Sequence, residues 1–231
     1  MRHSRWFQVG KIKGLVFDSD GTLFEIDRFI PMFAQIMRKA LYQCTGKYNS
    51  MTIKEMYPML SLPLAKSIRM LRGMGIDPAD YWGAVYILDL ETRQKTWGDK
   101  IRPFGDTSVL GHLKGRYKLG ILSNTPPQII DFQLDQAGLN GIWSAKVCGF
   151  YKSAMCKPEP FGFYSCLKQM KLGSRDVVMI GDSDVDVEAG KKIGARTIRI
   201  DRGHYDYGGP EPDFVIKTLG ELEDALCRLE K

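Results

Sequence analysis

Apolar positions along the chain follow two different rhythms. Short, nearly uninterrupted runs occur at Leu15-Val16-Phe17, Leu119-Gly120-Ile121-Leu122, Val177-Val178-Met179-Ile180 and Thr197-Ile198-Arg199-Ile200, with a further run at Phe214-Val215-Ile216. A strand covered on both faces needs apolar side chains on both, so such runs predict a parallel sheet between layers of helix. Helix-length segments separate them: Pro127 to Ala137, Pro160 to Met170, Asp184 to Ile193 and Leu219 to Leu229. Gly138 and Gly194 stand where two of these helices should stop. The alternation predicts an α/β fold, a doubly wound parallel sheet with a Rossmann-like core.

From about Glu25 to Arg102 this rhythm is absent. Ile30, Phe33, Ile36, Met37, Ala40 and Leu41 follow helical spacing, and Leu62 to Leu71 and Trp82 to Leu90 read as further helices. The stretch is too long for a simple crossover. It predicts a small helical domain, 25–102, inserted into a core formed by 1–24 and 103–231, with Pro103-Phe104-Gly105 marking the return. Seven of the eleven methionines fall in the insert (Met32, Met37, Met51, Met56, Met59, Met70, Met74). Helical packing accounts for them, and the sharper alternative is an adaptable apolar lining for a substrate.

Composition narrows the function classes. Hydrophobic residues make up 44% and charged residues 26%, which excludes a disordered or fibrous chain. The longest stretch without a charge runs only from Leu119 to Ile130, too short for a membrane span, and Trp6 to Gly10 is too short for the apolar region of a signal peptide. The five cysteines (Cys44, Cys148, Cys156, Cys166, Cys227) are odd in number and include no C-x-x-C pair. A reducing cytoplasm fits that pattern, with most of them acting as small core residues. The net charge of +6 is compatible with anionic substrates, and no run of five or six basic residues points to nucleic acid.

The chemistry concentrates at the ends of the apolar runs. Asp18-Ser19-Asp20-Gly21-Thr22 follows the first, at the carboxyl end of a strand, where open α/β sheets bind ligands. Asp18 and Asp20 are two apart, so strand periodicity points both the same way, although a lone D-x-D-G also suits an Asx turn. Gly181-Asp182-Ser183-Asp184-Val185-Asp186 supplies a second acidic cluster at a second strand tip, with Asp184 alternatively a helix cap. Up to four converging carboxylates call for a hard divalent cation, and oxygen ligands favour Mg2+. Ser123-Asn124-Thr125 ends a third strand, where a hydroxyl and backbone N–H groups suit an anion or an ordinary strand-to-helix turn. Lys157-Pro158 precedes a predicted helix, and alone that lysine reads as solvated.

Taken together, in this order, Asp18-Ser19-Asp20-Gly21-Thr22, Ile121-Leu122-Ser123-Asn124, Lys157-Pro158-Glu159-Pro160 and Gly181 to Asp186 resemble the four motifs of the haloacid dehalogenase-like hydrolase superfamily. The insert resembles the helical cap of its phosphoglycolate phosphatase-like branch. The resemblance implies Asp18 as a nucleophile that forms an aspartyl-phosphate, and Asp20 as general acid and then base. It implies Ser123, Asn124 and Lys157 as phosphoryl-binding groups. Metal binding falls to Asp18, Asp20 through its backbone carbonyl, and Asp182, with Asp186 joining the metal site through a water or by orienting Lys157. A second Asp separates the superfamily's phosphatases from its dehalogenases. The implied function is a magnesium-dependent phosphatase acting on a small phosphoester, phosphoglycolate by default. The partners expected are that small molecule, with no nucleic acid and no membrane, and oligomeric state stays open. Alternatives are a phosphomutase or phosphotransferase of the same superfamily and a non-catalytic regulatory protein retaining the fold. Between Phe24 and Arg102 there are 12 basic and 8 acidic residues, and Arg28, Lys54, Lys66, Arg69, Arg72 and Arg93 are all expected at the solvated surface.

Overall fold

The computed structural model of the protein describes residues 11–47, 64–149, 154–203 and 207–230. Among them the apolar runs form a six-stranded parallel sheet in the order β5-β4-β1-β6-β7-β8. Its strands are β1 (Gly14–Phe17), β4 (Lys118–Ser123), β5 (Trp143–Cys148), β6 (Val177–Gly181), β7 (Arg196–Ile200) and β8 (Phe214–Ile216). Two short strands, β2 (Phe24–Glu25) and β3 (Arg102–Pro103), pair antiparallel beside the tip of β1.

Among the described residues three helices lie between β2 and β3: α1 (Ile30–Thr45), α2 (Leu64–Gly73) and α3 (Pro78–Thr96). After β3 come α4 (Leu110–Leu113), α5 (Pro127–Gln136), α6 (Pro160–Met170), α7 (Asp184–Lys192) and α8 (Leu222–Leu229). The period-two alternation of β1 separates the two faces of the sheet. Val16 packs with Phe163, Cys166, Met170 and Ala189 beneath α6 and α7. Leu15 and Phe17 belong to the opposite cluster, which runs through Ile130, Leu134, Leu222 and Leu226 and on into Met37, Leu41, Tyr81 and Val85 of the insert. One continuous apolar body therefore joins the inserted helices to that face of the sheet.

α3 starts earlier than the periodicity suggests, because Asp77 caps it by accepting the backbone N–H groups of Ala79 and Asp80, with Pro78 in the first turn. The part of the predicted second helix at 62–63 lies outside the described residues, as do Met51, Met56 and Met59. Met37 is fully buried, and Met32, Met70 and Met74 pack against the same apolar cluster, so packing explains the described members of the set.

Three features depart from the sequence reading. β5 was not anticipated: as an edge strand it exposes Ser144 and Lys146 and buries Ala145 and Val147, so it lacks the continuous apolar run of its neighbours. The β2–β3 pair is too short to show any periodicity. Of the five cysteines, all free, only Cys156 and Cys166 are buried, whereas Cys44 and Cys227 are exposed, so the expectation that most serve the core does not hold.

Candidate active site

β1 lies at the centre of the sheet, between β4 and β6, so the loops leaving these three strands meet at one edge. The backbone N–H of Asp18 donates to the Ile180 carbonyl (2.9 Å), which ties the tip of β1 to β6. The Ser19 carbonyl then accepts the N–H groups of Leu23 (2.8 Å) and Phe24 (3.0 Å) and holds the following loop tight. Gly21 sits in that loop at φ 83°, and a Cβ there would lie 2.0 Å from Oδ2 of Asp182. Gly181 is under the same constraint, since a Cβ on it would lie 2.2 Å from Cγ of Asp186. Both glycines are needed because carboxylates fill the space a side chain would take.

The carboxylates of Asp18, Asp182 and Asp186 come within 4.8 Å of one another, all buried. Lys157 stands among them: its Nζ is 2.6 Å from Oδ1 of Asp18 and 2.5 Å from Oδ1 of Asp186. The other oxygen of Asp186 accepts the hydroxyl (2.6 Å) and backbone N–H (3.0 Å) of Ser183, which caps α7. Asp186 thus orients Lys157. Lys157, which taken alone reads as solvated, is buried, and removing it would strand buried carboxylates at a cost of about 3–5 kcal/mol.

Three carboxylates against one ammonium leave the cluster short of positive charge. Burial, with Asp186 adding to it against the pull of Lys157, pushes the Asp18 carboxyl up to about 7. Burial and the neighbouring Asp18 and Asp186 raise Asp182 as well. Oδ1 of Asp182 accepts the Thr22 hydroxyl at 3.3 Å, while Oδ2 is buried with no hydrogen-bond partner. An orphaned carboxylate oxygen in an all-oxygen, electron-rich cluster fits a hard dication such as Mg2+.

Asp20 does not share this surrounding. β1 ends at Phe17, so strand periodicity does not reach Asp20, and the two carboxylates of the first motif take different partners. Oδ1 of Asp20 accepts from Nη1 of Arg93 (3.0 Å) and Nε2 of Gln133 (3.0 Å). Oδ2 accepts from Nη2 of Arg93 (2.8 Å) and the Thr125 hydroxyl (3.1 Å). Burial by itself would raise this carboxyl, but Arg93, Gln133 and Thr125 together hold it below the usual range. The expected convergence of up to four carboxylates is therefore a convergence of three. Asp184 also turns away: it pairs with Arg199 (2.5 Å) and accepts the N–H groups of Gly208 and Gly209. Ser183 takes the capping role considered for Asp184.

Ser123 is buried at the end of β4, and its hydroxyl oxygen accepts the backbone N–H of Thr125 (3.2 Å). Asn124 clamps Lys157: its Oδ1 accepts the Lys157 N–H (2.7 Å) and its Nδ2 donates to the Lys157 carbonyl (3.0 Å). Both ends of its side-chain amide are thus bonded to the Lys157 backbone.

Arg93 overturns the expectation of a solvated cation, while Arg28, Arg69 and Arg72 are exposed as expected and the side chains of Lys54 and Lys66 lie outside the description. A signal for Arg93 was present. Tyr81, Val85, Asp89 and Arg93 follow one another at i+4, so the buried stripe of α3 runs straight into a charged pair. Gln133 had a similar signal, since it continues the buried face of Ile129, Ile130 and Leu134.

A family model described as haloacid dehalogenase-like hydrolase matches residues 12–194, which spans Asp18, Asp20, Arg93, Ser123, Asn124, Lys157, Asp182 and Asp186. The chain belongs to that hydrolase family. Among its relatives, "Pyrophosphatase PpaX" of Listeria monocytogenes serotype 4b (strain CLIP80459) is 27% identical over 224 residues, covering 93% of this chain and 96% of the relative. "Phosphoglycolate phosphatase" of Photobacterium profundum is 23% identical over 235 residues, covering 95% and 97%. A solved haloacid dehalogenase-like phosphatase from Thermococcus onnurineus is 25% identical and superposes with a TM-score of 0.65 over 93% of this chain and 98% of that one. CbbY from Rhodobacter sphaeroides, solved with phosphate, shares the fold at a TM-score of 0.71 and 19% identity, over 91% of this chain and 96% of that one. As a member of the haloacid dehalogenase-like hydrolase family, the chain is an enzyme with its acidic cluster at the strand tips.

Proposed function

We propose that this hydrolase is a magnesium-dependent phosphatase that cleaves small phosphorylated metabolites through an aspartyl-phosphate on Asp18. The observation that carries the reading is the cluster of Asp18, Asp182 and Asp186 around one lysine, with an unsatisfied carboxylate oxygen on Asp182. Asp18, the backbone carbonyl of Asp20, and Asp182 would hold the ion, with Asp186 positioning Lys157. Bound there, Mg2+ would neutralise the negative charge that otherwise keeps a phosphate dianion away from three carboxylates.

The side chains then divide the reaction. An oxygen of Asp18 attacks phosphorus as the bond to the leaving oxygen breaks, and Asp20 delivers a proton to that oxygen. Water attacks the phosphorus of the acyl phosphate, Asp20 takes the water's proton, and inorganic phosphate leaves with Asp18 restored. Lys157 and the Ser123 hydroxyl stabilise the transferring group without reorganising at the moment of reaction. Segment 25–102 serves as a cap over a core of 1–24 and 103–231, and its closure excludes water. Among the described residues no helix is long and apolar enough to cross a membrane. With five free thiols, a cytoplasmic setting suits the enzyme.

The names of the relatives suggest phosphoglycolate and pyrophosphate as the first substrates to test, with phosphoglycolate the default. The reading is tested by turnover of p-nitrophenyl phosphate and a panel of phosphorylated metabolites. Activity should vanish in chelator and return with added Mg2+. Full activity in metal-free protein would sink the metal assignment.

A further inference from the structure

The side chain of Arg93 is only 5% exposed. Its Nε donates to Oδ1 of Asp89 at 2.8 Å, one turn back on α3, and its two terminal nitrogens fork onto the two oxygens of Asp20. Its Cζ lies 4.6 Å from the centroid of the Phe29 ring. The guanidinium is thus built into the insert through Asp89 and Phe29, and it reaches across to a carboxylate on the core.

All four hydrogen bonds to Asp20 come from donors: two from Arg93, one from Thr125 and one from Gln133. A carboxylate so filled offers no place for the leaving oxygen of a phosphoester. One donor has to yield. Thr125 and Gln133 belong to the β4–α5 segment, on the same sheet-and-helix body as Asp20, whereas Arg93 rides on the insert. When Arg93 yields, a buried guanidinium loses the Asp20 carboxylate, and taking a partner from a buried charge is costly. A leaving group with an oxyanion of its own would restore the planar two-point pair that guanidinium favours. A neutral leaving group would not.

We propose that Arg93 determines substrate specificity: the guanidinium that grips Asp20 is exchanged onto a second oxyanion carried by the leaving group, so that such phosphoesters free Asp20 and neutral ones do not. The inference rests on the phosphatase reading for its substrate but not for its test. The oxyanion has two sources, a carboxylate or a second phosphate, which share this chemistry.

Calorimetry with Mg2+ present compares 3-phosphonopropionate (carboxylate), methylenediphosphonate (second phosphate) and propylphosphonate (neutral), none of which can be turned over. The protein should bind at least one of the first two roughly 10- to 100-fold more tightly than the third, the range of a charge-assisted pair. The arm that shows the preference identifies the oxyanion. Arg93→Lys, which keeps the charge but loses the fork, should retain part of that preference. The double variant Arg93→Gln/Asp89→Asn should lose it, and removing both charges avoids leaving Asp89 buried without its partner. Circular dichroism and thermal melting establish that the variants fold. Equal binding of all three probes by the unaltered protein, or a full preference in the double variant, would overturn the role of Arg93. In parallel, kcat and KM for 2-phosphoglycolate and ethyl phosphate should show the preference mainly in kcat/KM. Absence of turnover with any phosphoester would defeat the phosphatase reading, while the binding preference alone decides the role of Arg93.

Discussion

Asp18 and Asp20 are separated by one residue, yet their surroundings are electrostatic opposites. Asp18 shares a buried space with Asp182 and Asp186, and the Lys157 ammonium pairs with Asp18 and Asp186 but leaves an oxygen of Asp182 unsatisfied. Asp20 has a guanidinium and two neutral donors to itself. One pocket lacks positive charge and suits a dication and a covalent nucleophile. The other is saturated with donors and has to be opened before it can exchange a proton. The two carboxyls are pushed in opposite directions, Asp18 up and Asp20 down, whereas a nucleophile needs the lower value and an acid the higher, so the division of roles requires a cation beside Asp18 and release of Asp20 from its donors. The division is made by the elements that surround each side chain: β6 and α7 for Asp18, α3 and α5 for Asp20.

The strongest way to break this contrast is to remove each carboxylate in turn. Asp18→Asn should abolish the covalent intermediate and lower turnover of every substrate by ~10⁴-fold or more, the scale of losing a nucleophile. Asp20→Asn should cost ~10²–10⁴-fold with alkyl phosphates, which need a protonated leaving group. With p-nitrophenyl phosphate it should give a burst and then stall with phosphate on Asp18, seen by rapid quench and mass spectrometry. Equal losses for both substrate types, with no phosphorylated peptide, would erase the distinction.

A smaller effect sharpens the second pocket. Thr125→Val removes one of the four donors from Asp20 and keeps the side chain's shape, so unfolding in denaturant should show a loss of about 1–3 kcal/mol. No change would mean that the remaining three donors satisfy the carboxylate unaided.

The smallest expected effect comes from a carboxylate outside both pockets. Asp213 accepts the Lys191 ammonium (2.5 Å) and the N–H (2.7 Å) and hydroxyl (3.0 Å) of Thr197. Partial burial opposes ionisation, but these donors prevail and hold its carboxyl below the usual value. Its stabilisation is thus fully present above the unfolded value of about 3.9 and fades as pH falls through the lower folded one. Asp213→Asn should lower the denaturation midpoint at pH 7, and the gap from the unaltered protein should close below about pH 4. A gap that is independent of pH would assign the effect to lost hydrogen-bond geometry.

Local pattern alone determined much of this protein. The apolar runs marked five of the six parallel strands: β1, β4 and β6 because the central strands are covered on both faces, β7 through its isoleucines, and β8, an edge strand, because its run stays apolar even at the exposed Val215. Pro127, Pro160 and Gly138 marked helix ends, because backbone geometry at those positions depends on the residue itself. The acidic clusters at the tips of β1 and β6 were legible for the same reason: each follows its strand directly in the chain. β5 was hidden because an edge strand needs only one buried face, and Ser144 and Lys146 occupy the other. The partners of Asp20 belonged to the tertiary structure. Arg93 lies 73 residues away, Thr125 105 and Gln133 113. The i+4 stripe on α3 indicates that Arg93 is buried, but no local rule names the carboxylate it meets. That pairing depends on how the inserted helices dock against the sheet, and docking is set by apolar contacts far apart in the chain.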